Sequence, residues 1–181
     1  QFQQLPNWVA RRCRGEPVAY IVGEREFCSL SLAVDNSTLI PRPDTECLVE
    51  TALSLSLPAD ARVLDLGTGT GAIALALKSE RPDWQVTAVD WSASAVSLAQ
   101  RNARRLGLAV EVLHSHWFDS LADRSVYDLI VSNPPYIAED DAHLAQGDVR
   151  FEPRSALVAE RAGIADLHHI AEQGHAYLKP N

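Results

Sequence analysis

The run Arg62-Val63-Leu64-Asp65-Leu66, followed at once by Gly67-Thr68-Gly69-Thr70-Gly71 and then Ala72 to Lys78, constrains this chain more than any other segment. The first five residues read as a buried strand. The last seven are rich in strong helix formers. Three glycines between them let the backbone turn sharply and approach a ligand closely, because no Cβ intrudes. Asp65, at the strand end, can orient this loop or meet a cationic group of a ligand. A second strand, Gln85 to Asp90, ends in an acid about 20 residues after the loop, the spacing at which a carboxylate reaches ribose hydroxyls. The pattern is that of a parallel α/β sheet with a ligand above its carboxyl edge.

The glycine spacing alone leaves the cofactor open. Gly67, Gly69 and Ala72 also fit the dinucleotide pattern, and both NAD and S-adenosylmethionine present a ribose to such an acid. A third feature separates them. Tyr127 to Ser132 reads as another buried strand, and Asn133-Pro134-Pro135-Tyr136 follows it. The prolines end the strand and stiffen the backbone at its carboxyl end. There Asn133 can offer a side-chain oxygen to one N–H of a planar amide or base. The carbonyl of Pro134 can take the other N–H, and Tyr136 can stack on the flat face. Hydride transfer has no need of such a group; methylation of a planar nitrogen does.

The bulk properties narrow the field further. With 181 residues the chain has room for one domain with a real core. Its formal net charge of −8 disfavours non-specific nucleic-acid binding, which depends on Lys and Arg neutralising phosphates. Cys13, Cys28 and Cys47 are widely spaced and form no zinc pattern, so free thiols in a reducing cytoplasm are expected. No metal site is expected, because the six histidines lack a supporting acidic pattern. No run approaches transmembrane length and no signal peptide is visible. The absence of Met, an opening inside a helix (Leu5 to Arg14) and a close on a helix end and turn (Ala176 to Asn181) read as a piece of a longer protein.

Along the chain, Leu30, Leu32 and Val34 alternate with small residues at period two. With Val18 to Val22 as a partner and Gly23 to Glu26 as the turn, the expectation is a β-hairpin. Pro43, Asp44 and Glu46 suit the first turn of a helix running to Leu55. From residue 61, strands alternate with helices. Ser92 is placed to cap a helix that Gly107 ends, and Leu108 to His114 is the third expected strand. A polar stretch from 137 to about 160 reads as a lid, a binding loop or a solvated loop, and a last helix is expected from Arg161 to Leu178.

These residues resemble the HemK-type protein-(glutamine-N5) methyltransferase family, and within it the peptide-chain release factor glutamine methyltransferases. The resemblance rests on Arg25-Glu26-Phe27, Thr38-Leu39-Ile40-Pro41-Arg42-Pro43-Asp44-Thr45-Glu46, the Asp65 to Gly71 loop, Asn133 to Tyr136, and Gly147 to Pro153. It implies a class I S-adenosylmethionine-dependent methyltransferase fold, Rossmann-like, in residues 41–181, with the sheet incomplete at the C-terminus. Residues 16–40 would be a β-hairpin linker and residues 1–15 the end of a helical domain. The loop Asp65, Gly67, Thr68, Gly69, Thr70 and Gly71 would hold the cofactor's amino-acid end, Asp90 its ribose and Trp117 its adenine. Asn133 would touch cofactor and substrate, and Asn133, Pro134, Pro135 and Tyr136 would hold a glutamine of a release-factor Gly-Gly-Gln motif. The implied role is in translation termination. A DNA or RNA amino-methyltransferase, or a cofactor-binding fragment without turnover, is the alternative. For Arg42 and Glu46 the expectation is that they order the hairpin against the core.

Overall fold

Burial of both faces of one short parallel sheet organises the molecule. The computed structural model describes residues 4–124 and 126–180; Gln1 to Gln3, within the expected helical domain, and Asn181, in the expected closing turn, lie outside them. The sheet contains β3 (Arg62–Leu66), β4 (Gln85–Asp90), β5 (Glu111–His114) and β6 (Leu129–Ser132), all parallel, in the order β5-β4-β3-β6. Along β3, Val63 enters a core with Ala72 to Leu77, Val86 and Val131. Leu64 and Leu66 enter a second core on the opposite face with Val89, Phe118, Tyr127 and Tyr177. A strand covered on both sides needs apolar residues on both faces, which Val63, Leu64 and Leu66 supply.

The helices α4 (Ala72–Glu80) and α5 (Ala93–Leu106) follow β3 and β4 as crossovers. Ser92 caps α5 as expected, its hydroxyl accepting from the Ala95 N–H at 3.3 Å, and left-handed Gly107 ends it. The third strand is shorter than expected. The Leu108 N–H bonds back to the Ala103 carbonyl, which commits that residue to closing α5. The ladder with β4 then begins at Glu111, opposite Thr87. The fourth strand likewise starts late. Tyr127 bridges Leu178 instead, and the Asp128 backbone donates to the Arg62 carbonyl while its carboxylate accepts the Arg62 N–H.

After α1 (Leu5–Cys13), residues 18–22 are helical rather than extended: Val18–Val22 forms α2, entered through Pro17 and ended by left-handed Gly23. Five apolar residues are too few to separate one helical turn from a strand, and Pro17 and Gly23 settle the run as helix. The hairpin exists, but its strands are β1 (Glu24–Phe27) and β2 (Leu30–Ala33), paired antiparallel. Its two-residue turn, Cys28 and Ser29, has positive φ at both positions (46° and 63°), the geometry that matches strand twist. Phe27 and Leu32 are fully buried in the first core.

A short 3-10 turn (Pro43–Thr45) leads into α3 (Glu46–Ser54), close to the expected helix. The 137–160 stretch is folded, with 3-10 turns at Ala142–Ala145, Val149–Phe151 and Arg154–Ala156. It returns to pair Val158 with Ile137. The last helix begins later than expected: α6 (Glu160–Gly163) contains left-handed Arg161 and Ala162, and α7 spans Ala165–Gly174. Gly163 explains the interruption. A Cβ there would lie 2.3 Å from the Tyr136 carbonyl oxygen, so the chain turns where only glycine fits.

Asn102, on α5, joins hairpin to sheet. It is fully buried, and its Oδ1 accepts the Ala33 N–H at 2.8 Å. Its Nδ2 donates to the carbonyls of Ala33 (3.0 Å) and Thr70 (2.9 Å). One side chain therefore satisfies the edge of β2 and the glycine loop together. Asn102→Ala is expected to lower unfolding free energy by about 3 kcal/mol in urea titration, since buried groups lose their partners. A loss below about 1 kcal/mol would contradict this role.

Candidate functional site

The register of the sheet sets the site. Leu66 pairs with Val89 on one side and Ser132 on the other. Gly67, Asp90 and Asn133 therefore leave the carboxyl edge of three adjacent strands at nearly one level. Gly67 and Gly69 have φ of 70° and 56°, and the N–H groups of Gly67 and Thr68 both donate to the Val89 carbonyl. Asp90 receives the Gly69 N–H on Oδ2 at 2.8 Å and the Ser92 N–H on Oδ1 at 2.9 Å. Each carboxylate oxygen retains a lone pair for a ligand hydroxyl. Burial pushes the Asp90 carboxyl up, against the pull of those N–H groups.

Above this edge lies a cavity of about 410 Å³, within the range of small-molecule sites. Gly67, Thr68, Gly69, Thr70, Asp90, Trp117, Asn133 and Pro135 all line it. Trp117 is half-buried with a positive φ of 46°. Its ring lies 3.4 Å from where a Gly67 Cβ would stand, so a larger residue at 67 would press on the indole. A smaller outer cavity of about 260 Å³ is lined by Arg42, Asp44, Thr45, Leu48, Asn133 and Tyr136. Asn133 faces both chambers, as do Thr45 and Arg42. The Asn133 Nδ2 donates to Thr45 Oγ1 at 3.4 Å, which turns its Oδ1 away from Thr45. Tyr136, exposed at its tip, borders only the outer chamber.

Three of the expected site residues do not face either chamber. Pro134 is buried beneath the turn, Gly71 caps α4, and Asp65 lies behind the loop. The Asp65 Oδ2 accepts from Thr68 Oγ1 at 2.6 Å and from the Ala74 N–H at 3.2 Å, while Oδ1 has no protein partner. Of its two expected uses, the geometry supports orienting the loop. Complete burial pushes its carboxyl up to about 7.

The Pro43 segment is tied down on both flanks. Glu46 Oε1 accepts the Cys28 N–H at 2.9 Å and so orders the hairpin turn, as expected for it. Arg42 acts elsewhere: its Nη2 donates to Glu152 Oε1 at 2.6 Å, and the Glu152 side chain is fully buried. This pair fastens the 137–160 stretch over the site. Thr38 and Thr45, which line the inner chamber, and Glu152, which holds Arg42 from behind it, were not singled out by role in the sequence. All three lay inside segments that carried the family resemblance, but their contacts span more than 80 residues for Thr45 and more than 100 for Glu152.

The fold and the three-strand edge define a nucleotide-type α/β site, and the chain belongs to the methyltransferase small domain family, whose model matches residues 43–151. Among curated proteins it is 60% identical over 182 residues to a release factor glutamine methyltransferase of Shewanella oneidensis, covering 100% of this chain and 63% of that protein. It is 59% identical over 179 residues to that of Escherichia coli, covering 98% and 64%. The chain thus spans a little under two thirds of the length of these relatives. Among solved structures, the hMettl16 catalytic domain in complex with MAT2A 3′UTR hairpin 6 superposes with a TM-score of 0.66 at 19% identity, covering 86% of this chain and 61% of that one. That likeness concerns the fold, a class I methyltransferase α/β sheet. No helix among the described residues is long and apolar enough to cross a membrane.

The buried Asp65 gives the site a pH signature. Its folded carboxyl, near 7, holds a proton more tightly than an unfolded one near its ordinary value of 3.8. The stability it contributes is therefore full below about pH 4 and is lost as pH rises through about 7. Asp65→Asn should remove that slope, so that wild-type and variant denaturation midpoints diverge across this window. Parallel curves from pH 4 to 7 would show that Asp65 does not titrate there.

Proposed function

We propose that the protein transfers a methyl group from S-adenosylmethionine to the side-chain amide nitrogen of a glutamine, the one in the Gly-Gly-Gln motif of peptide-chain release factors. The observation that carries the reading is Asn133, one side chain facing two chambers of different size. The inner chamber suits the cofactor: left-handed glycines clear space for its amino-acid end, Asp90 has lone pairs for two ribose hydroxyls, and the Trp117 ring offers a face to adenine. When bound, S-adenosylmethionine supplies an electrophilic methyl group on a sulfonium centre. The names carried by relatives at 59–60% identity supply the acceptor.

The protein's own groups account for the harder half of the chemistry. An amide nitrogen is a poor nucleophile because its lone pair is delocalised into the carbonyl. The Asn133 Oδ1, at the boundary of the two chambers, accepts an N–H of the amide and pushes electron density back onto nitrogen; Pro134, which lines neither chamber, holds the turn that carries Asn133. That bond strengthens as positive charge grows on nitrogen, so it favours the transition state over the ground state. Holding the nitrogen in line with the methyl group saves roughly 7–11 kcal/mol of entropic cost. Tyr136 covers the outer face of the amide. No strong base is required if the proton leaves after transfer. The acceptor is protein rather than nucleic acid on this reading, in keeping with a net charge of −8.

Asn133→Ala separates the two chambers experimentally. Methyl transfer to a Gly-Gly-Gln release factor should fall by about 10²–10³, the usual cost of one positioned hydrogen-bonding group. Affinity for S-adenosylhomocysteine, measured by calorimetry, should change by no more than about tenfold, the cost of a single neutral contact. Near-normal turnover in the variant would overturn the assignment of Asn133, and with it the reading of the outer chamber.

A further inference from the structure

Thr38 is 2% exposed, and its Oγ1 is one of the buried side-chain oxygens with no hydrogen-bond partner among the described residues. It also lines the inner chamber. Its Cβ lies 3.8 Å from where a Cβ on Gly69 would stand, so it faces the glycine loop across a narrow gap. A buried hydroxyl without a partner is costly and calls for a reason. The backbone here is held in place. The Thr38 carbonyl accepts the Tyr20 hydroxyl at 2.7 Å, and Tyr20 packs with Val34 and Ile40 in a small core of its own. Helix α2 thus positions a residue whose side chain remains unpaired beside the loop.

We infer that the Thr38 hydroxyl is a cofactor-binding group that hydrogen-bonds the zwitterionic amino-acid end of S-adenosylmethionine. This rests on the methyltransferase reading above and adds a residue to it. A hydroxyl both donates and accepts, so it suits either the carboxylate or the ammonium of that group. An aliphatic side chain of the same shape suits neither. The wall opposite the glycine loop then contributes to binding, and it comes from the segment before α3.

The test compares two ligands and three variants of the protein. S-adenosylhomocysteine carries the amino-acid end; 5′-methylthioadenosine lacks it. Thr38→Val keeps the shape and removes the hydroxyl. It should weaken S-adenosylhomocysteine about tenfold, the cost of one hydrogen bond to a charged group, and leave methylthioadenosine unchanged. The melting temperature without ligand should hold or rise, because an unpaired buried hydroxyl has gone. Thr38→Ser should retain wild-type affinity for both, and Thr38→Ala should reproduce the valine result if valine does not fold. Unchanged S-adenosylhomocysteine affinity in Thr38→Val, or equal weakening of both ligands, would overturn the inference. A wild-type protein that binds neither ligand would instead overturn the methyltransferase reading on which it rests.

Discussion

One register in the sheet carries the whole arrangement. Leu66 stands opposite both Val89 and Ser132, so the next residue of each strand lines the inner chamber: Gly67, Asp90 and Asn133. A slip of one residue in either pairing would turn those side chains to the opposite face. The burial pattern guards against it, because Val63 and Leu64 fill different cores on opposite faces of the sheet. Packing far below the site therefore fixes geometry at its rim. This is the general logic of open α/β folds, in which ligands bind beyond the carboxyl ends of the strands.

The rim is completed by segments from elsewhere in the chain, each held by a polar contact of long reach. Asn102 ties β2 to Thr70. Glu46 holds the hairpin turn, and Arg42 meets the buried Glu152. Gly163 packs against the Tyr136 carbonyl, so α6 supports the Asn-Pro-Pro-Tyr turn from behind. Burying Glu152 is expensive, and burial does raise its carboxyl above the ordinary value. Arg42 opposes that rise, and losing either partner would leave an uncompensated charge. The closed wall of the inner chamber depends on that pair as much as on apolar packing.

Much of this was legible in the sequence, for local reasons. The glycine loop between an apolar run and a helix, the acid at the end of β4, the Ser92 and Gly107 caps and the Asn-Pro-Pro-Tyr turn each announce themselves within a few residues. The pieces that depart from their local pattern are those where that pattern is ambiguous or overruled. Val18 to Val22 is apolar throughout, so nothing in it marks a helical period; Pro17 and Gly23 decide its conformation. The break near Arg161 and Ala162 depends on a close approach to Tyr136, invisible from either segment alone. In the site, Asp65 was legible as important but not as hidden behind its loop. Thr38 and Thr45 acquire roles only when the segment before α3 is laid over the sheet.

On the proposed function, the outer chamber takes a glutamine side chain. Labelled S-adenosylmethionine, offered with a Gly-Gly-Gln release factor or its Gly-Gly-Ala variant, tests it most directly, using the chain alone and extended to the length of its relatives. Label is expected on the Gly-Gly-Gln protein and none on the Gly-Gly-Ala protein. Equal labelling of both, or label on added nucleic acid with none on either protein, would contradict it.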